Sequence, residues 1–247
     1  MNSVLVLSPH LDDAAFSLGP LLAQYSKSVR FIVATAFSKS VDSPSSFALA
    51  CQLDKGLSAN DDYMGIRRQE DLGWAETIGV EAIYGELPEA PHRGYNSAAA
   101  LFDPLLPEID VRKHLFEWTT HLLEQYKPIA LLSPLSIGNH VDHVLIKETA
   151  ERFNTTDADV YFYKDLPYAG DIENTSAQHY FHGSHPMHEH LFKFSNESTE
   201  MALNATNAYK TQIPFQFGDV GQMQIKLRNA WGKGVSLYSL NTRPIHF

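Results

Sequence analysis

Short apolar runs alternate with amphipathic segments along this chain, and that alternation limits the fold more than any other feature. Residues 4–7, 29–34, 82–84, 129–132 and 160–163 are, Arg30 apart, aliphatic or aromatic and too short to be buried helices. Between them, 15–25, 64–78, 111–126 and 141–153 carry apolar residues at helical spacing, with Gly79 and Pro128 just past two of the expected ends. Strands that are apolar on both faces need cover on both sides, and helical crossovers supply it. The pattern predicts a mainly parallel sheet in a Rossmann-like three-layer α/β sandwich. At 247 residues the chain can build one such core, so a single domain over 1–247 is expected.

Composition removes several classes of function. Nineteen basic against 29 acidic residues give a net charge of −10, which repels phosphate backbones, so nucleic acid is not an expected partner. No apolar stretch nears the roughly 20 residues that span a bilayer, and residues 1–3 lead into a strand without a basic leader; cytoplasmic residence is the expectation. Cys51 is the only cysteine, which rules out a thiolate zinc cluster and leaves nitrogen and oxygen as metal donors. The first strand-to-helix turn also lacks the Gly-x-Gly-x-x-Gly of a dinucleotide site.

That turn reads Ser8-Pro9-His10-Leu11-Asp12-Asp13, and a second cluster, Gly138-Asn139-His140-Val141-Asp142-His143, follows the 129–132 strand. Both fall where open α/β sheets place their ligands, at the carboxyl ends of strands. Asp12 or Asp13 alone reads equally as a helix cap, and His140 with His143 as a solvated pair. A cap does not explain two adjacent, mutually repelling carboxylates beside a histidine; a cation does. Catalytic zinc takes three His or carboxylate ligands and keeps a fourth position for water. His10, Asp13 and His143 are the expected ligands, with Asp12 free as general base, His140 stabilising an oxyanion, and Asp142 orienting His140 through a hydrogen bond.

On these residues the chain resembles the LmbE-like, or PIG-L, de-N-acetylase superfamily, whose signatures are a strand-borne His-x-Asp-Asp and a later His-x-Asp-His. Leu11 and Ala14 stand where many relatives carry Pro and Glu. The resemblance runs over about 3–168, including Arg67-Arg68-Gln69-Glu70 and Tyr163-Lys164-Asp165-Leu166-Pro167-Tyr168, and fades over 169–247. It implies a Zn2+ or other divalent ion and hydrolysis of an N-acetyl group from an amino sugar, such as N-acetylglucosamine, or a glycosylated metabolite of natural-product biosynthesis. The same roles carry to His10, Asp13, His143, Asp12 and His140.

Substrate range should lie in the loops at 37–63, 86–110 and 166–190, with Glu89 and Arg93 as candidate sugar contacts. Arg67 is a further candidate, set against an Arg67–Glu70 ion pair. His179, His182, His185, His188 and His190 are expected in a loop near the pocket, and Phe215, Phe217, Trp231 and Tyr238 in the core or at a homo-oligomer contact. Two other readings are a metallo-β-lactamase-like hydrolase, whose longer histidine motif Gly138 interrupts, and a non-catalytic sugar-binding protein that keeps the metal.

Overall fold

The computed structural model describes residues 1–44, 46–153, 159–168, 180, 186–243 and 245–247. Strands β1 (Ser3–Ser8), β2 (Arg30–Phe37), β3 (Glu81–Leu87), β4 (Ala130–Pro134) and β5 (Asp159–Tyr163) pair in parallel. Two antiparallel strands, β6 (His188–Phe192) and β7 (Val235–Ser239), complete the order β3-β2-β1-β4-β5-β7-β6. The C-terminal part thus closes the same sheet.

Side-chain alternation along the strands builds two cores. Val4, Val6, Phe31, Val33, Tyr161 and Tyr163 face α1 (Asp13–Tyr25), α3 (Tyr63–Ile78), α6 (Asn196–Thr206) and α8 (Val220–Trp231). Their neighbours Leu5, Leu7, Ile32, Ala34 and Phe162 face α4 (Ile109–Tyr126) and α5 (Val141–Glu151). Successive residues of a strand point to opposite faces, so the apolar runs serve both layers and the three-layer expectation holds. Two shorter helices, α2 (Ser46–Leu53) and α7 (Ile213–Phe217), lie outside this frame.

Helix α1 contains Pro20, which cannot donate to the Phe16 carbonyl one turn earlier. Trp231 Nε1 from α8 fills that vacancy with a 2.9 Å bond to Phe16 O. The helix that follows the first motif is thereby tied to the end of the chain.

Two expectations change in detail. The sequence over Glu197 to Gln212 predicts a helix through 212, but α6 stops at Thr206, and the turn after it sends the Tyr209 hydroxyl to Asp71 at 2.7 Å. His188 and His190 stand on edge strand β6, where His190 Nε2 meets Ser239 Oγ at 2.9 Å, rather than in a loop beside the first motif; His179, His182 and His185 lie outside the described residues. Phe217, Trp231 and Tyr238 are core residues, whereas Phe215 is 61% exposed. No helix among the described residues is long and apolar enough to cross a membrane.

From β1 the sheet grows to β2 and β3 on one side and to β4 and β5 on the other. The crevice at the carboxyl ends of β1 and β4 is therefore the point of reversal where such sheets bind ligands. Both histidine motifs open there.

Candidate metal centre

The turn after β1 is held by its own side chains. Ser8 Oγ donates to the His10 carbonyl at 2.8 Å and accepts the Ala14 amide at 3.3 Å, while Asp13 Oδ2 accepts the His10 amide at 2.8 Å. Asp12 occupies the N-cap of α1 yet makes no capping bond, so a purely structural cap does not account for it.

Asp13 Oδ2 lies 3.3 Å from His10 Nδ1 and 3.3 Å from His143 Nε2. A four-coordinate ion at 2.0–2.2 Å from its ligands sets neighbouring donor atoms roughly 3.3–3.6 Å apart, which both distances from Asp13 match, and the donors of the three residues all lie within 4.8 Å of one another. His143 Nε2 is also buried without a hydrogen-bond partner. An orphaned imidazole nitrogen aimed at a carboxylate is what a missing divalent cation leaves behind. The opposite ring nitrogens are engaged from outside: His10 Nε2 meets Asp142 Oδ2 at 2.9 Å, and His143 Nδ1 meets Asp165 Oδ1 at 2.6 Å. Asp165 Oδ2 in turn accepts the Ile137 amide at 3.0 Å. Carboxylates behind metal-binding imidazoles fix the tautomer and leave the inner nitrogen bare.

The electrostatics agree. Burial lowers the pKa of His143, but Asp13 and Asp165 outweigh it and carry it up to about 9. Burial likewise opposes ionisation of Asp13, and the His143 and His10 rings beside it hold its carboxyl well below the usual range. A field that retains a proton this firmly also attracts a cation. His10, His140 and Asp142 form a second group of compatible donors. Its carboxylate is already neutralised by Arg93, so the His10, Asp13, His143 group is the better fit.

His140 is the N-cap of α5, and its Nδ1 accepts the Asp142 amide at 3.2 Å. Asp142 thus orients His140 with its backbone rather than with its carboxylate, the group the sequence reading gave that task. The carboxylate turns the other way, to His10, to the Ala90 amide at 3.1 Å and to Arg93 Nη2 at 2.6 Å. With Nδ1 accepting, the neutral His140 ring carries its proton on Nε2. Burial keeps it neutral, driving its pKa down to about 3.

Arg67, on α3, bonds the Glu89 carboxylate and sits 3.6 Å from Asp12 Oδ2. The foreseen Arg67–Glu70 pair does not form, because Glu70 accepts instead from the Thr211 amide and hydroxyl at 2.8 and 2.7 Å. Burial pushes the Asp12 carboxyl up to about 7 against the pull of Arg67. Arg93 is 6% exposed at its side chain and holds Asp142, Glu108 and the Pro88 carbonyl, which places it behind the site. Two residues of the site carry no role assigned from the sequence. Asp165 follows β5 at the same sheet edge, and its place in that pattern was a usable signal. Gln216, whose Nε2 donates to Asp12 Oδ2 at 2.9 Å, comes from a segment with no motif.

Comparison with known proteins identifies the family. The family described as GlcNAc-PI de-N-acetylase, PIG-L, matches residues 5–154. A 2′-N-acetylparomamine deacetylase of Streptomyces fradiae is 32% identical over 181 residues, which are 69% of this chain and 61% of that protein's length. Among solved structures, a zinc-inhibited form of the teicoplanin deacetylase Orf2 superposes with a TM-score of 0.81 at 21% identity, covering 96% of this chain and 97% of the other. An N,N′-diacetylchitobiose deacetylase from Pyrococcus horikoshii gives 0.57 at 16% identity, covering 97% and 84%. These two likenesses concern the fold.

Proposed function

Because the chain belongs to the PIG-L family of de-N-acetylases, we propose that it is a divalent-metal hydrolase that removes an acetyl group from the nitrogen of an amino sugar in a small glycosylated metabolite. The observation that carries this is the convergence of His10 Nδ1, Asp13 Oδ2 and His143 Nε2 at the carboxyl ends of β1 and β4, with Asp12 next to Asp13 in the chain and His140 beside both histidines. A zinc or similar ion held by that triad supplies Lewis acidity and makes water nucleophilic near neutral pH.

The remaining steps belong to the protein. Asp12 accepts a proton from the attacking water and returns it to the nitrogen that leaves, a task for which a carboxylate beside the metal-holding Asp13 and outside the ligand triad is placed. His140 Nε2–H donates to the oxygen that gains charge as the carbonyl becomes tetrahedral, and its neutrality leaves it a donor without drawing a second anion into the pocket. Asp142 and Asp165 keep the two ligand imidazoles in one tautomer, and Arg93 offsets the charge of Asp142.

The natures of the relatives' substrates, as their names give them, support an amino-sugar natural product. A groove of about 550 Å³ between the loops after β2 and β3 is lined by Lys39, Ser40, Asp42, Pro91, His92 and Asn96, groups suited to sugar hydroxyls. It favours the loops at 37–63 and 86–110 as the source of substrate range. A binding protein without catalysis has no use for Asp12 and His140 at the triad. Asp12→Asn separates these readings: it should keep one zinc per chain and lose about 100-fold or more in acetate release from 2′-N-acetylparomamine or N-acetylglucosamine. Wild-type turnover by that variant would exclude Asp12 as the base.

A further inference from the structure

Gln216 reaches the Asp12 carboxylate from near the other end of the chain. It stands on α7, whose position over the start of α1 is set by Phe217 against Phe16, with ring centroids 5.1 Å apart and planes at 81°. Gln212, the N-cap of α7, donates to the Tyr63 hydroxyl of α3 at 3.2 Å and to Thr211 Oγ1 at 2.8 Å. From this fixed base Gln216 Nε2 donates to Asp12 Oδ2 at 2.9 Å. Facing the ionised Asp12 that acts as base, the nitrogen is the atom of the amide that bonds, since an amide oxygen there would set two acceptors against each other.

The arrangement has two features that packing does not explain. Gln216 Oε1 is buried with no hydrogen-bond partner, so the residue forgoes one bond in order to make the other. The Arg67 guanidinium approaches the same oxygen, Oδ2, at 3.6 Å, so both the amide of Gln216 and the cation converge on Oδ2. We infer that Gln216 is a positioning residue for Asp12, anchoring Oδ2 so that Oδ1 is the oxygen presented to the reacting groups.

This rests on the reading of Asp12 as general base. The proton passes from water to Oδ1 as the water oxygen bonds the acetyl carbon, and from Oδ1 to the nitrogen as the carbon–nitrogen bond breaks. A carboxylate free to rotate divides its time between orientations, and a small misplacement of a catalytic group lowers turnover by up to about 100-fold without weakening substrate binding. Neither signature motif includes the anchor, which makes α7 part of the catalytic apparatus.

Two measurements on the full-length, zinc-loaded chain test it. In the first, the side-chain amide resonance of Gln216, assigned by its loss in Gln216→Met, is followed on introducing Asp12→Asn; the bond requires a clear shift, and an unmoved resonance overturns the inference. The second is a double-mutant cycle on acetate release from 2′-N-acetylparomamine. Gln216→Met should lower kcat about 10- to 100-fold with KM and zinc content unchanged, and should cost nothing further in the Asp12→Asn background. Equal losses in both backgrounds, or a kcat within twofold of wild type while Asp12→Asn is impaired, overturns the role of Gln216 and leaves Asp12 as base. An Asp12→Asn variant with wild-type turnover removes the base reading itself. Thermal unfolding of each variant verifies its fold; where Gln216→Met is unstable, backbone-to-side-chain assignment of the wild-type spectrum identifies the Gln216 amide, and the resonance test on Asp12→Asn stands.

Discussion

Replacing Asp165 with alanine should weaken metal binding although Asp165 is not a predicted ligand. Its carboxylate is 1% exposed and makes two bonds, 2.6 Å to His143 Nδ1 and 3.0 Å to the Ile137 amide. The first holds the His143 ring and its Nδ1 proton, so that Nε2 is the nitrogen directed at Asp13 and given up to a metal; without it the ring rotates more freely. Loss of such an outer partner costs about 10- to 100-fold in metal affinity, or about 1.4–2.7 kcal/mol. The second bond matters to the fold, because an orphaned buried amide costs about 1–3 kcal/mol. Asp165→Ala should therefore lower both zinc affinity and the midpoint of urea unfolding. Asp165→Asn, which keeps an acceptor but no charge, should fall between the variant and wild type in affinity. Zinc competition against a chromophoric chelator at pH 7, on protein verified as folded by circular dichroism, measures the first quantity. A folded Asp165→Ala protein with a zinc Kd within twofold of wild type would refute the reasoning.

Burial holds the Asp71 carboxyl at about 6 despite bonds from the Tyr209 and Tyr84 hydroxyls. Between about pH 4 and pH 6 the unfolded chain gives up a proton that the folded chain keeps, so this group's stabilisation, complete below pH 4, is lost as pH rises through 6; Asp71→Asn should gain on wild type by about 3 kcal/mol from pH 4 to pH 7 in denaturant titrations, and a pH-independent difference would contradict it. Gly85 sits where a Cβ would lie 2.5 Å from the Ala36 carbonyl oxygen, at the shift in β2–β3 register. Gly85→Ala should destabilise by about 1–3 kcal/mol through this backbone clash, and an unchanged unfolding midpoint would show that the strands part at no cost. Trp231→Phe keeps most of the buried ring but removes the donor to Phe16 O, and should cost about 1–3 kcal/mol by the same titration.

Much of the fold was legible because parallel strands buried on both faces must be apolar throughout and helices must not be. Val4 to Leu7 declared a strand, and the 141–153 segment declared a helix opening inside its own histidine motif. Where the reading slipped, a tertiary contact had replaced a local rule. The helix expected to run to 212 ends at Thr206, and Tyr209 is drawn down to Asp71. The pair expected between Arg67 and Glu70, one turn apart on α3, gives way to Glu89 from one loop and Thr211 from another. Helical spacing says which side chains are neighbours, yet buried charges take whichever partner desolvates with them most favourably.

From its sequence alone the chain determined an alternating α/β order, two histidine and carboxylate clusters at strand ends, and a donor set restricted to nitrogen and oxygen by the single cysteine. These are local properties, written in residue type and spacing. The tertiary structure alone decided that β1 and β4 lie side by side, and hence that His10, Asp13 and His143 share one point in space. It also decided that Asp142 gives its carboxylate to His10 and its backbone to His140, and that an amide from α7 closes on Asp12. Such choices depend on which groups become buried together, a property of the packed sheet and its covering helices that no stretch of sequence carries by itself.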